Sequence, residues 1–311
     1  MFEAFDTTAF GKYMKSVRKS LDLTQIDVVN MCNVNVETLR RLEKGQVIPK
    51  YDTLEYLSDA YKMDVMSLFS FFRSSEALYN FYNYVDEIII EYNLDKLTSL
   101  ESEYRVILND VKLDQIINKT QMGQMSLIVR GIKEFNKEQY GECLDTFKET
   151  MKLSNKQFDI EKYNQFKYTQ LDYRILLLIA LGLSEVKELE QANLLLELIL
   201  RKFTAIARVH ENDKKLLIKV YSNLSYNCHC LDDFKKALKY ADKGIEYCNK
   251  NSTTYGLFLL YYRRGVAKFL LRKRTYKKDF EYCIMLLEMQ KNKKLIEVYK
   301  RITKEKYDIE I

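Results

Sequence analysis

One spacing recurs five times along the chain: a small or aliphatic residue, a large one nine positions on, another three later and a last one four later. The series reads Ile88, Leu97, Leu100, Tyr104; Gly131, Tyr140, Cys143, Phe147; Ala180, Leu189, Ala192, Leu196; Ser225, Phe234, Ala237, Ala241; and Ala267, Tyr276, Asp279, Cys283. Successive starts lie 43, 49, 45 and 42 residues apart. Each unit reads as a helix A, a short turn and a helix B, with the small residue letting the two helices approach closely. Such a unit cannot bury its apolar face alone, so the units are expected to stack into a right-handed helical solenoid with a concave face. Composition agrees: 47% hydrophobic residues support a core, while nine glycines and one proline in 311 residues leave few turn signals for β-hairpins. An all-α chain is the expectation. The segment from Leu295 to Lys304 reads as an amphipathic capping helix.

The first seventy residues follow a different pattern. Phe10, Tyr13, Met14 and Val17 repeat at helical spacing in a first helix ending near Leu21. Thr24 is a good N-cap, Gln25 takes the first helical position, and Ile26, Val28, Val29 and Met31 are expected to bury one side of a short second helix. Asn33 stands where the turn is expected to need a residue tolerant of positive φ. Asn35 then caps a third helix whose Val34, Leu39 and Leu42 point inward while Val36, Glu37, Arg40 and Arg41 point out. Gly45 closes it as a left-handed C′ residue. After Pro49, Leu54, Leu57, Ala60 and Tyr61 form a fourth helix, and Val65, Leu68 and Phe69 a fifth. A short helix after a tight turn, with free N-terminal side chains, has the geometry that enters the major groove of DNA.

This head resembles the λ-repressor-like, or XRE, family of five-helix DNA-binding domains. The residues that carry the resemblance are Arg18, Gln25, Asn33-Val34-Asn35, Leu39, Leu42-Glu43-Lys44-Gly45, Pro49, Leu54 and Leu57. The resemblance implies a structural ion pair between Arg18 and Glu43 and a phosphate or base-edge contact for Gln25. It implies recognition-helix contacts for Val36, Glu37, Arg40 and Arg41, with Asn35 and Lys44 completing the DNA-facing set. Val36 is apolar where many relatives carry a polar reader, so a thymine methyl is its expected contact. Residues 1–70 hold nine Lys and Arg against ten Asp and Glu, so the head is not uniformly basic. Its cations cluster at 12–19 and 40–50, which suits one phosphate-facing side. A protein-binding module without DNA affinity is the alternative.

Several classes find little support. The N-terminus lacks the basic start and apolar stretch of a signal peptide, and the run Ile175 to Leu183 is far short of the roughly twenty residues that span a bilayer. A cytoplasmic protein without a membrane partner is expected, with its six cysteines as free thiols. Cys228-His229-Cys230 lacks a second ligand pair, and neighbouring helical positions 228 and 230 point apart, so no metal is expected there. With two histidines, no glycine-rich phosphate loop and no nucleophile–base pairing, neither an enzyme nor a cofactor is expected.

The unit from Asn223 to Ala241 looks most like a tetratricopeptide repeat; the others are degenerate and longer than that family's period. Such a head, residues 1–70, joined through a linker and first solenoid helix, 71–92, to degenerate repeats, 93–311, resembles the Rgg/PlcR group of peptide-pheromone-responsive regulators. The resemblance implies a homodimeric transcription factor on double-stranded DNA with a palindromic operator, controlled by a short signalling peptide in the concave face. With the A helices lining that face, the helical offsets bring Arg174, Lys219, Asn223, Tyr226, Asn227, Tyr261, Arg264 and Lys268 inward, with Ser222 and His229 beside them. Asparagine amides there suit an extended peptide backbone, and the cations suit a free carboxylate or acidic residue. Ordinary solvated or inter-repeat positions remain the other reading, and a scaffold whose repeats bind a protein partner is the other function. From Arg263 to Lys306 fifteen Lys and Arg face five Asp and Glu. That excess either attracts an anionic ligand or flanking DNA, or is a solvated face.

Overall fold

The computed structural model describes residues 5–72, 76–91, 96–109, 119–204 and 211–311, and these are helical apart from turns and short connections. The expected junction near 92–93 and His210 lie outside them. The chain divides into two compact units. One takes the residues up to Asn83 with the segment from Ser102; the other takes Tyr84–Glu101 and everything from Lys119.

In the first unit five short helices enclose a core of Phe10, Met14, Val28, Leu39, Leu42 and Leu57 with their neighbours. They are α1 (Thr7–Ser20), α2 (Gln25–Met31), α3 (Val36–Glu43), α4 (Tyr51–Tyr61) and α5 (Val65–Ser70). Asp6, Thr24, Asn35 and Asp64 cap four of them through side-chain oxygens. At Thr24 the cap is reciprocal: Asp27 N–H donates to Thr24 Oγ1 at 3.1 Å and Thr24 N–H donates to Asp27 Oδ2 at 2.7 Å. Gly45 is left-handed, with φ 69°. A Cβ there would lie 2.5 Å from the Thr8 Cα, so only glycine fits.

Two local expectations need correction. Of the apolar residues of α2 only Val28 is fully buried, while Ile26 and Met31 are 62% and 54% exposed. A seven-residue helix on a small bundle has one inward stripe, and these two fall outside it. Asn33 is not left-handed. Cys32 leaves α2 with extended dihedrals, φ −148° and ψ 164°, and Asn35 enters α3 extended, so the turn is made without positive φ.

Beyond the head run α6 (Glu76–Glu91) and α7 (Lys96–Asn109), then α8 (Lys119–Asn136), α9 (Tyr140–Ser154), a 3₁₀ turn (Ile160–Gln165), α10 (Gln170–Glu185) and α11 (Leu189–Thr204). They continue as α12 (Glu211–Cys230), α13 (Phe234–Lys250), α14 (Leu257–Leu270), α15 (Tyr276–Met289) and the capping helix α16 (Lys293–Tyr307). The recurring spacing maps onto these helices. Gly131, Ala180, Ser225 and Ala267 lie on the A helices α8, α10, α12 and α14, and Tyr140, Leu189, Phe234 and Tyr276 each open the B helix that follows. The small residue is a steric necessity at Gly131, where a Cβ would stand 2.3 Å from Cε1 of the buried Phe147. At Ser225 the hydroxyl also donates to the Ala237 carbonyl at 2.8 Å, tying A to B.

The A–B turns use non-glycine left-handed residues, Glu138, Lys187 and Asp232, with φ 60°, 70° and 57°. From α8 to α16 each helix packs on the next, and successive A helices also touch: α8 on α10, α10 on α12, α12 on α14. Among the described residues successive B helices have no comparable contact, so the array curves with its A helices inside.

Candidate DNA-facing helix and inner face of the repeats

In the head, α3 is held at its base by a buried ion pair. Arg18 Nε donates to Glu43 Oε1 at 2.6 Å and its Nη2 to Oε2 at 3.0 Å, while Nη1 donates to the Leu23 carbonyl at 2.8 Å. Gln25 joins this pair: its Nε2 donates to Glu43 Oε2 at 2.7 Å. A carboxylate only accepts, so the amide points its nitrogen at Glu43 and keeps a second N–H for an external acceptor. The ion pair thus fixes both α3 and the glutamine at the start of α2.

The opposite face of α3 is open. Val36 is 42% exposed, and Glu37, Arg41 and Lys44 are exposed with it. Arg40 Nε donates to Glu37 Oε2 at 2.6 Å, and this neighbouring guanidinium holds the Glu37 carboxyl below its usual range. Lys15, Gln25, Ile26, Val36, Arg40 and Lys44 line a cleft of about 620 Å³ along α2 and α3. Asn35 acts through backbone geometry, its Oδ1 accepting the Thr38 N–H at 2.7 Å. A convex helix with cations and one small apolar residue beside an open cleft can hold phosphates and read a base edge.

On the inner face of the repeats the structure divides the expected residues into two sets. Arg174, Lys219 and Asn227 are buried rather than open to a groove. The Lys219 ammonium is ion-paired with Asp86 of α6, and burial pulls it down to about 8. Arg174 pairs with Asp213 at 3.3 Å. Asn227 accepts from Ser184 at 3.0 Å and donates to Asn193 at 3.1 Å, bridging adjacent units. Ser222 is buried as well. These offsets face the neighbouring A helix as much as the concavity, because the A helices touch one another.

The second set is reachable. Asn223, Tyr226, His229, Tyr261, Arg264 and Lys268 are all partly exposed. Arg264 is tied to Asp279 at 2.6 Å and to Asp242 at 3.3 Å, and Lys268 to the other Asp279 oxygen at 2.7 Å. Asp279, the third residue of its repeat motif, is therefore a buried counter-ion for two inner cations. Sequence offsets passed over Arg263, whose guanidinium lies 4.3 Å from the centre of the Tyr226 ring. It is one residue from the offset that selected Arg264, and no local spacing separates the two.

No family model and no curated sequence matches the chain. Solved structures do match over nearly its whole length. PlcR of Bacillus thuringiensis, solved with the peptide PapR7 and DNA, is 18% identical, with 95% of this chain and 98% of that one covered and a TM-score of 0.64. The SHP pheromone receptor Rgg2 of Streptococcus dysgalactiae is 14% identical, with coverages of 96% and 99% and a TM-score of 0.53. Apo ComR of S. thermophilus is 14% identical, with coverages of 95% and 98% and a TM-score of 0.50. The chain therefore has the all-helical fold of the PlcR, Rgg and ComR regulators, a helix-turn-helix head followed by helical repeats.

Proposed function

We propose that this chain is a cytoplasmic, homodimeric transcription regulator that binds double-stranded DNA through α3 and is controlled by a short signalling peptide on the inner face of its repeats. The observation that carries the reading is the open face of α3, where Val36, Arg40, Arg41 and Lys44 lie on a helix braced from below by Arg18 and Glu43. Its support from likeness is that PlcR, of the same fold, was solved with both a peptide and DNA. Two-fold symmetry in a dimer would set the recognition helices on half-sites about 34 Å apart, or a multiple of that. A peptide that binds one arrangement of the repeats better than another shifts the population of that arrangement, and so the DNA affinity. The side chains at the two surfaces serve recognition rather than bond-making, and no enzymatic activity is proposed.

Selection from a pool of random duplexes tests the DNA half. The full chain is expected to enrich a motif with two-fold symmetry, and the Arg41→Ala/Lys44→Ala variant is expected to enrich none. Equal retention of all duplexes by the native chain would overturn it.

A further inference from the structure

Arg174, Lys219, Arg264 and Lys268 follow one rule: each inner cation has an aspartate. Arg174 has Asp213, Lys219 has Asp86, and Arg264 and Lys268 share Asp279. Burial demands this, since an ion removed from water is strongly disfavoured in a protein interior unless it finds a partner. Arg263 of α14 departs from the rule. Its guanidinium stacks on the Tyr226 ring, its Nε is buried without a hydrogen-bond partner, and no carboxylate among the described residues stands within ion-pair reach.

The surroundings of Arg263 form a built corner. Tyr226 and His229 lie three residues apart on α12, hence on one face of that helix. His229 Nε2 stands 3.2 Å from the hydroxyl of Tyr307, the last residue of α16, while His229 Nδ1 is buried with no partner. If Tyr307 donates to Nε2, the ring proton sits on Nδ1, a donor that has no acceptor of the protein's own. Burial lowers the proton affinity of His229, the Arg263 and Lys306 charges lower it further, and Asp232 opposes them, while Glu185 acts on the neighbouring Tyr226. Two unfilled donors of different helices, a guanidinium fork and an aromatic platform are the components that bind a carboxylate.

We propose that Arg263, Tyr226, His229 and Tyr307 form a subsite for a carboxylate of the peptide ligand. This rests on the peptide-sensor reading above and adds which part of the peptide is gripped and by what. Arg174, Lys219, Arg264 and Lys268, already neutralised by the protein's own aspartates, hold the array together. Arg263, with no such aspartate among the described residues, is available to a ligand.

The chain has two histidines, so the Cε1–H resonance of His229 is assigned by the His210→Gln variant. Titration of the full chain with acetate at constant ionic strength should shift that resonance saturably and raise the His229 titration midpoint. In Arg263→Gln the acetate affinity should fall about tenfold or more, the loss of one charge-assisted pair. Exposed Arg272→Gln should leave it unchanged, and Arg263→Lys should give an intermediate value. No saturable shift, or the same affinity in Arg263→Gln, overturns the subsite.

Peptide pools then separate this inference from the sensor reading. Randomised heptapeptides free of Asp and Glu are offered with a free C-terminus, as C-terminal amides, and as amides carrying one Asp. Retention of the first alone assigns the terminal carboxylate, and retention of the third assigns an acidic side chain. Equal retention of all three refutes the subsite and leaves the peptide reading standing. Acetate binding with no peptide retained keeps the subsite and overturns the peptide reading.

Discussion

Arg18 and Glu43 are 25 residues apart in the chain and meet beneath the helix that faces outward. The bidentate fork takes both Glu43 oxygens, with Oε2 also accepting from Gln25, so removing the guanidinium strands a buried carboxylate. Arg18→Met should cost about 3–5 kcal/mol in urea unfolding, the usual loss when one partner of a buried pair is deleted. At His229 the measurable quantity is pH dependence. Burial, Arg263 and Lys306 hold its folded pKa below the 6.5 of the unfolded chain. As pH falls below 6.5 the unfolded chain takes up its proton first, so stability is lost from there down through the folded midpoint. The difference in melting temperature between pH 7 and pH 5 is therefore expected to be smaller in His229→Gln than in the native chain. An identical difference would contradict the assignment.

Helix pairs depend on one small residue each, and Gly131 shows how strictly. Its Cα faces the edge of a Phe147 ring that is 1% exposed and has nowhere to move. Gly131→Ala gains up to about 1 kcal/mol of helix propensity but overpacks the A–B contact, for a net expected loss of about 1–3 kcal/mol in thermal unfolding. Spacing made this position legible, because Gly131, Ala180, Ser225 and Ala267 put a small residue at the same register in four of the five units. The turns beside it were silent in the sequence. Glu138, Lys187 and Asp232 adopt the left-handed region without the glycine that usually announces it. The inner-face cations were legible as residue types and illegible as groups, since the aspartates that neutralise them come from other helices. Asp86 is 133 residues from Lys219, and no helical offset relates them.

At the scale of the molecule, a helix-turn-helix signature and a repeat rhythm were enough to anticipate an all-helical chain with the fold of the PlcR, Rgg and ComR regulators. What the rhythm could not supply is which way each inner side chain turns, because an A helix shares its inward surface between the concavity and the next A helix. On the proposed reading, function at this scale rests on α3. Arg40 and Glu37 present themselves as a pair, so Arg40→Ala both removes a cation and leaves a carboxylate facing phosphates, whereas Arg41→Ala removes a cation only. The most direct test is fluorescence anisotropy with the duplex enriched from the random pool, read against salt for the native chain and both variants. The account predicts a loss of about tenfold or more in each, larger for Arg40→Ala, with a shallower salt slope and an unchanged melting temperature. Native affinity and salt slope in both variants would contradict it.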